Sequence, residues 1–316
     1  MKKVVVTGGA GFIGSHLAEQ LTINGDEVII LDNLSTGKME NIENIIKLKN
    51  IRFVNGSILD LPLLEKLFRG VAYIFHQAAS ISVVESIQNP MKYTENNITG
   101  TLNVLLAAKK NNVRKVIFAS SSAVYGDPDE LPTREDARLN PLSPYAISKV
   151  VGEYYCRFFN DIHGLRTVCL RYFNVYGPKQ DPFSEYANVI TLFIQKAMDS
   201  LPLIIFGDGE QSRDFIYIED IVSANMILAD NSASSIYNVG SGKSIAINRI
   251  AELITSMQGS KQTNIYEKPR AGDVQRSLSD STRIEALGFV SEWPINQGLE
   301  TTIRYLLKRS QPTNRN

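Results

Sequence analysis

Tyr145 and Lys149 lie four residues apart in Ser143-Pro144-Tyr145-Ala146-Ile147-Ser148-Lys149. Proline suits the first turn of a helix, where an N–H would have no helical partner anyway. Positions i and i+4 then share a face, so the Tyr145 hydroxyl and the Lys149 amine can converge on one bound molecule. A nearby cation favours phenolate over phenol and draws a tyrosine pKa down from about 10 towards neutrality. Tyr145 is therefore a candidate proton-transfer group. Taken alone, the spacing is more often that of an ordinary amphipathic helix with one buried tyrosine and one solvated lysine. Its weight comes from the elements that carry it.

The chain starts with an apolar strand, Lys3 to Thr7, followed by Gly8-Gly9-Ala10-Gly11-Phe12-Ile13-Gly14 and an amphipathic helix from about Ile13 to Asn24. Glycines at 8, 11 and 14 allow the backbone close to a pyrophosphate, where free N–H groups and the helix dipole attract negative charge. A second strand, Glu27 to Leu31, ends in Asp32, placed to accept hydrogen bonds from an adenosine ribose. That carboxylate repels a 2′-phosphate, and no arginine follows it in Asn33-Leu34-Ser35-Thr36-Gly37, so the expected cofactor is NAD rather than NADP.

Strands and helices keep alternating: strand Ile51 to Asn55, helix Leu61 to Phe68, strand Tyr73 to Gln77, helix Met91 to Asn112, strand Lys115 to Ser120, helix Pro144 to His163 and strand Thr167 to Arg171. Such βα repetition predicts a doubly wound parallel sheet of the Rossmann type, with ligands beyond the carboxyl ends of its strands. Asp60, His76-Gln77-Ala78-Ala79 and Ser120-Ser121-Ser122 all fall at that edge. After Asn174 the rhythm changes. Shorter pieces follow, among them a helix from about Tyr186 to Asp199 and strands near Leu203 to Phe206 and Arg213 to Tyr217. The expected organisation is a cofactor domain over 1–173, an interleaved, smaller α/β substrate lobe over 174–309, and a polar, disordered tail over 310–316.

Equal numbers of basic and acidic residues, 33 each, leave no overall field to attract nucleic acid or a membrane surface. An anionic ligand must be held by local groups. Two cysteines without CxxC spacing argue against a zinc site or disulfide framework, so no metal is expected. With no signal-peptide core and no long apolar run, the expected location is the cytoplasm.

The glycine loop, the Ser121 cluster and Tyr145-x3-Lys149, in this order, resemble the extended short-chain dehydrogenase/reductases over nearly the whole chain. Within them, Leu170-Arg171-Tyr172-Phe173-Asn174-Val175-Tyr176-Gly177-Pro178, Gly207-Asp208-Gly209-Glu210-Gln211-Ser212-Arg213-Asp214-Phe215 and Arg270-Ala271-Gly272-Asp273 are similar to the NAD-dependent UDP-sugar 4-epimerases. Gln180-Asp181-Pro182, Tyr186-Ala187 and Gly272-Asp273-Val274-x-x-Ser277 point towards those acting on UDP-N-acetylglucosamine. The resemblance implies Tyr145 as base and acid on the sugar 4-hydroxyl, Ser121 bonded to the same oxygen, and Ser122 near the sugar. Lys149 would hold the nicotinamide ribose and lower the Tyr145 pKa, with Tyr172 at the nicotinamide end. Further cofactor contacts are implied at Gly8, Gly11, Phe12, Ile13, Gly14, Asp32, Asn33, Ser35, Thr36, Gly37, Ser57, Ile58, Gln77, Ala78, Ala79 and Asn96. On the substrate side, Ser82 and Val189 would line the site, Asn174 and Asn188 face the diphosphate and Phe206 the uracil. Arg213 and Arg270 would pair with phosphate oxygens and Asp273 with the uridine ribose. Many relatives carry Asp where Ser57 precedes Ile58 here, and Asp60 is expected to cap the next helix.

Several readings remain open. Dehydratases carry an Asp-Glu pair, and decarboxylases commonly a Glu, directly after the position of Ser121, where this chain has the neutral Ser122-Ala123. A UDP-glucuronate 4-epimerase needs only a carboxylate contact. A catalytically silent NAD-binding regulatory protein would have little reason to keep Ser121, Tyr145 and Lys149 together. Ser277 is expected to leave room for an N-acetyl group without excluding UDP-glucose and UDP-galactose. Homodimerisation is implied through the 91–112 and 144–163 helices, although Leu102, Leu105 and Leu106 suit packing on the sheet as well.

Overall fold

The computed structural model describes residues 1–182, 188–260, 263–269 and 274–310. In chain order the strands are β1 (Lys3–Thr7), β2 (Glu27–Asp32), β3 (Ile51–Asn55), β4 (Tyr73–His76), β5 (Lys115–Ser121), β6 (Arg166–Tyr172), β7 (Asn174–Tyr176), β8 (Leu203–Phe206), β9 (Ser212–Tyr217), β10 (Ile236–Val239), β11 (Ser244–Ala246) and β12 (Asn264–Glu267). The helices are α1 (Phe12–Ile23), α2 (Leu61–Leu67), α3 (Val83–Gln88), α4 (Pro90–Tyr93), α5 (Gly100–Lys110), α6 (Pro144–His163), α7 (Val189–Met198), α8 (Ile218–Asp230), α9 (Ile247–Gln258), α10 (Thr282–Glu285) and α11 (Ile295–Ser310).

Seven strands form one sheet in the order β10-β6-β5-β4-β1-β2-β3, and every neighbouring pair in it is parallel. Strands buried on both faces need apolar residues at every position, and β1 supplies them. Val4 and Val6 enter the core on one face while Val5 enters the core on the other. This is the doubly wound sheet expected from the alternation. Its outermost strand, β10, comes from the later half of the chain and pairs with β6, so the two halves interleave. The remaining strands make a three-stranded sheet, β11-β9-β7, and a pair, β12-β8. Asp214 on β9, wholly buried, ties that strand to the β10–β11 loop and to the segment at Ser279. Its carboxylate accepts from the backbone of Ser241, Gly242 and Ser279 and from the hydroxyls of Ser241 and Ser279.

The expected single helix from Met91 to Asn112 is instead broken. A π-helical turn over Thr94–Thr99 separates α4 from α5. Such a turn lodges an extra residue, often near functional groups. Its effect here is that Asn96 and Asn97 both reach Ser80, beyond the end of β4. Apolar periodicity does not reveal it. α3 stands between the expected strand and helix, its six residues too short to give a periodic signal. Among the described residues, no helix is long and apolar enough to cross a membrane.

Candidate active site

The glycine loop joins β1 to α1 and is held by contacts that exclude side chains. Gly8 has φ +66°, and a Cβ on it would come 2.7 Å from the Ala78 nitrogen; one on Gly14 would sit 2.2 Å from the Gly8 carbonyl oxygen. The first turn of α1 carries no acidic residue and no side-chain cap, which leaves its positive end to a ligand. Asp32 closes the arrangement from β2. Its Oδ2 accepts from Ala10 N at 2.9 Å and its Oδ1 from Leu34 N at 2.8 Å, so the carboxylate faces the loop with acceptor capacity left over.

One cleft follows this edge of the sheet. In the order of the strands, Ser57 and Ile58 beyond β3 and Asp32, Asn33, Ser35 and Thr36 at β2 line one end, Gly8, Gly11, Phe12, Ile13 and Gly14 beyond β1 and Gln77, Ala78 and Ala79 beyond β4 the middle, and Tyr145, Lys149 and Tyr172 the other end, with Asn96 also in the lining. Of the expected cofactor residues, Gly37 alone is not in this lining. It stands behind Asp32, whose carboxylate a Cβ there would meet at 2.7 Å. Ser120, expected at this edge, lines the cleft too, as do Leu31, Gly56, Ile81 and Ala119, which the sequence does not mark because small and apolar residues carry no distinguishing signal. Ser57 accepts from Leu59 N at 3.1 Å, and Asp60 caps α2 by accepting from Leu63 N at 3.0 Å, a local role for each.

At the far end, α6 presents Tyr145 and Lys149 towards the end of β5. Ser143 caps the helix, accepting from Ala146 N at 3.2 Å, with Pro144 in the first turn. Ser121, the last residue of β5, accepts from Ala123 N at 3.1 Å and is hydrogen-bonded to Tyr145. The expected lowering of the Tyr145 pKa by Lys149 is not what this packing produces. Loss of solvent raises the phenol pKa, and only the bond to Ser121 opposes it. The Lys149 amine lies 5.8 Å from the centre of the Tyr145 ring and donates to the Ala119 carbonyl at 2.7 Å. Its own pKa is depressed to about 8 by burial, against a raising influence from Glu153.

Tyr172 is fixed by two neighbours. Gln77 Nε2 donates to its hydroxyl at 3.2 Å and Asn225 Nδ2 at 2.8 Å. Asn97, not anticipated, accepts from Ser80 N at 2.8 Å and donates to the hydroxyl of Ser148, which in turn donates to the Tyr145 carbonyl at 2.7 Å. His76 bridges the hydroxyls of Thr7 and Thr101, and burial together with Lys149 holds its pKa down at about 3, so it stays neutral.

The expected substrate residues are spread over several elements. Ser82 is buried and caps α3, accepting from Glu85 N; Ser122 opens the turn after β5. Asn174 donates to the Asp214 carbonyl at 3.2 Å, and Asn188 to the Val175 carbonyl at 3.0 Å while capping α7, which begins at Val189. Phe206 ends β8, and Arg213 on β9 donates to the Ser212 carbonyl at 3.0 Å. Ser277 is buried beside β9, its N–H donating to the Ser212 carbonyl. Arg270, Asp273, Tyr186 and Ala187 lie outside the described residues, as does nearly all of the 310–316 tail.

With this geometry the comparisons become informative. The profile of the NAD dependent epimerase/dehydratase family matches residues 4–240. The chain belongs to the NAD dependent epimerase/dehydratase family. A putative UDP-glucose 4-epimerase of Methanocaldococcus jannaschii is 43% identical over 305 residues, covering 96% of this chain and 98% of the relative. Among solved structures of this family, a UDP-N-acetylglucosamine 4-epimerase from Methanobrevibacter ruminantium M1, in complex with UDP-N-acetylmuramic acid, is 42% identical with a TM-score of 0.95. That match covers 98% of this chain and 99% of the other. A UDP-glucose 4-epimerase from Thermotoga maritima with UDP-glucose is 38% identical with a TM-score of 0.93, covering 97% and 99%. The family's NAD fits the residues present: the side-chain-free cradle at Gly8 and Gly14 admits a pyrophosphate, and Asp32 suits a ribose that bears no phosphate.

Proposed function

We propose that the protein is an NAD-dependent 4-epimerase of UDP-hexoses, acting on the UDP-GlcNAc/UDP-GalNAc pair and also accepting UDP-Glc/UDP-Gal. The observation that carries this reading is the Ser121–Tyr145–Lys149 grouping at one end of a cleft that runs past the glycine loop to Asp32. NAD, which the glycine loop, Asp32 and Lys149 would hold, would supply the redox chemistry as reversible acceptor of the C4 hydride. Tyr145 removes the O4 proton and gives it back; Ser121 holds the Tyr145 oxygen and the sugar oxygen together. Lys149, its amine 5.8 Å from the centre of the Tyr145 ring, would hold the nicotinamide ribose. Placed proton transfer of this kind contributes roughly 10^2- to 10^4-fold in rate. Correct alignment of C4 supplies much of the rest.

The turn after Ser121 supports epimerisation over elimination. Ser122 and Ala123 open a short 3-10 helix there with no carboxylate to act on C5 or C6. We assign NAD to the large sheet and the UDP-sugar mainly to residues 174–309. Ser277, buried beside β9 with its N–H on the Ser212 carbonyl, is the proposed gatekeeper at C2 of the sugar.

The proposed assembly is a homodimer. Ile147, Tyr154, Phe158 and Ile162 form an exposed apolar stripe along α6, flanked by Val83, Val84 and Ile87 of α3. Leu105, by contrast, is fully buried against the sheet, so it takes no part. Light scattering should show a dimer that Phe158→Glu reduces to a monomer. The two cysteines are free and buried, which suits the cytoplasm, the location we propose.

The test of the activity is to offer the purified protein UDP-GlcNAc, UDP-Glc and UDP-GlcA separately, without added NAD, and to resolve the products by NMR. Appearance of UDP-GalNAc supports the reading. Turnover of UDP-GlcA alone would move the function to UDP-glucuronate epimerisation, and an accumulating 4-keto-6-deoxy sugar would move it to dehydration.

A further inference from the structure

Glu153 lies one helical turn beyond Lys149 on the same face of α6 and is 4% exposed. The two side chains grip successive residues of β5. Lys149 donates to the Ala119 carbonyl at 2.7 Å, and the Ser120 hydroxyl donates to Glu153 Oε1 at 2.5 Å. Between them Gly152 lets the helix press onto the strand, since a Cβ there would come 2.4 Å from the Phe118 ring. The next residue of β5 is Ser121. The backbone that aims Ser121 at Tyr145 is thus clasped from α6 at the two positions before it.

Glu153 is itself held. Arg171 on β6, 2% exposed, forks onto it: Nε donates to Oε1 at 2.8 Å and Nη2 to Oε2 at 2.7 Å. Arg171 Nη1 also donates to the Tyr125 hydroxyl and the Glu135 carbonyl, and the Tyr125 hydroxyl donates to Asn238 on β10. A buried ion pair like this is a poor device for stability, because desolvation offsets most of the attraction. A residue that only had to fill this space would be apolar.

We propose that Glu153 is a positioning residue of the reaction: it fixes the Ser120–Ser121 end of β5 against α6 and supplies the negative charge that Lys149 faces. This rests on the reading of Tyr145 and Lys149 as the proton-transfer pair. The surroundings of Lys149 single Glu153 out. On α6 the other groups are Tyr145 and Cys156; β6 contributes Arg171 and Cys169, and β4 the neutral His76. On α3, Glu85 is committed to Lys92 and Tyr93. Burial lowers the Lys149 pKa and the largest influence against that is Glu153. Removing the charge while keeping the shape should therefore let Lys149 lose its proton at lower pH.

The test labels lysine Cε with 13C in the holoenzyme and follows the Lys149 signal against pH, the signal being assigned by its loss in Lys149→Met. Glu153→Gln should lower the Lys149 titration, and with it the alkaline limb of kcat/KM, by about one pH unit. It should reduce kcat by about tenfold or more while the KM for the UDP-sugar stays within about twofold. Ser120→Ala keeps the charge, so its Lys149 titration should stay in place while kcat falls several-fold. A folded Glu153→Gln protein whose Lys149 titrates as in the wild type overturns the proposal. If the lone Arg171 prevents folding, Glu153→Gln/Arg171→Met removes both charges, and the same lowering is required of it. Should the wild type turn over no UDP-sugar, the functional reading fails, and the NMR titration still judges Glu153 separately.

Discussion

The cofactor side and the sugar-nucleotide side of the site are built differently. On the cofactor side, polar groups beyond the strand ends are tied to other elements: Ala10 N to Asp32, Gly8 N to the Leu31 carbonyl, Gln77 N to the Thr7 carbonyl, and Ser80 to Asn97 in the π turn. Each residue is located by several neighbours at once. On the other side, Arg213 bonds the Ser212 carbonyl of its own strand, Asn188 caps α7 and donates to the Val175 carbonyl on β7, and Asn174 reaches across one short ladder. A reaction that keeps one cofactor bound and lets a sugar turn over calls for this asymmetry, with a fixed redox partner and a nucleotide grip that leaves the hexose free.

That contrast can be tested at the point where the two sides meet. Tyr145→Phe should lower kcat by about 10^3-fold and leave co-purified NAD in place, measured by NMR turnover and by NAD released on denaturation. Loss of NAD as well would mean that the two sides are not separable. Gly14→Ala attacks the cofactor side alone. Because its Cβ would sit 2.2 Å from the Gly8 carbonyl oxygen, the protein should purify without NAD and melt several degrees lower, while calorimetry still detects UDP binding.

Acid should also act first on the cofactor side. Burial and Lys149 hold His76 at about 3, against 6.5 in an unfolded chain, so the unfolded state takes up the proton first as the pH falls. Its contribution is complete above about pH 6.5 and is lost progressively towards pH 3, amounting to about 2 kcal/mol by pH 5. His16, which bonds the Pro178 carbonyl and is held at about 4 by burial and Lys179, acts in the same direction. Urea titrations at pH 7 and pH 5 should show the loss, with NAD release preceding unfolding; equal stability at both would contradict it. The smallest expected effect is on the sugar side. Ser277→Tyr should cut turnover of the N-acetylated pair by roughly tenfold and leave UDP-Glc nearly untouched. Equal effects on both pairs would remove Ser277 as gatekeeper.

Much of the cofactor side could be read in advance because its parts are close in sequence. The glycines, Asp32 and the Tyr145–Lys149 pair are each set by one turn or one helix. Asn97 escaped notice because its reach depends on a π turn, and the turn depends on how α4 and α5 pack. The lowering of the Tyr145 pKa expected from Lys149 is outweighed for a related reason: spacing places two side chains on one face, but burial, which spacing does not encode, raises the phenol.

By itself, then, the sequence determined the alternation of strands and helices, the loop that admits a pyrophosphate and the phenol–ammonium pair, since backbone geometry fixes what lies within a few residues. Only the tertiary structure decided that Ser120, Glu153 and Arg171 meet behind that pair, that β10 completes the sheet, and that Gln77 and Asn225 hold Tyr172. Those residues are far apart along the chain. What brings them together is the order in which parallel strands bury their apolar faces, and no local spacing encodes it.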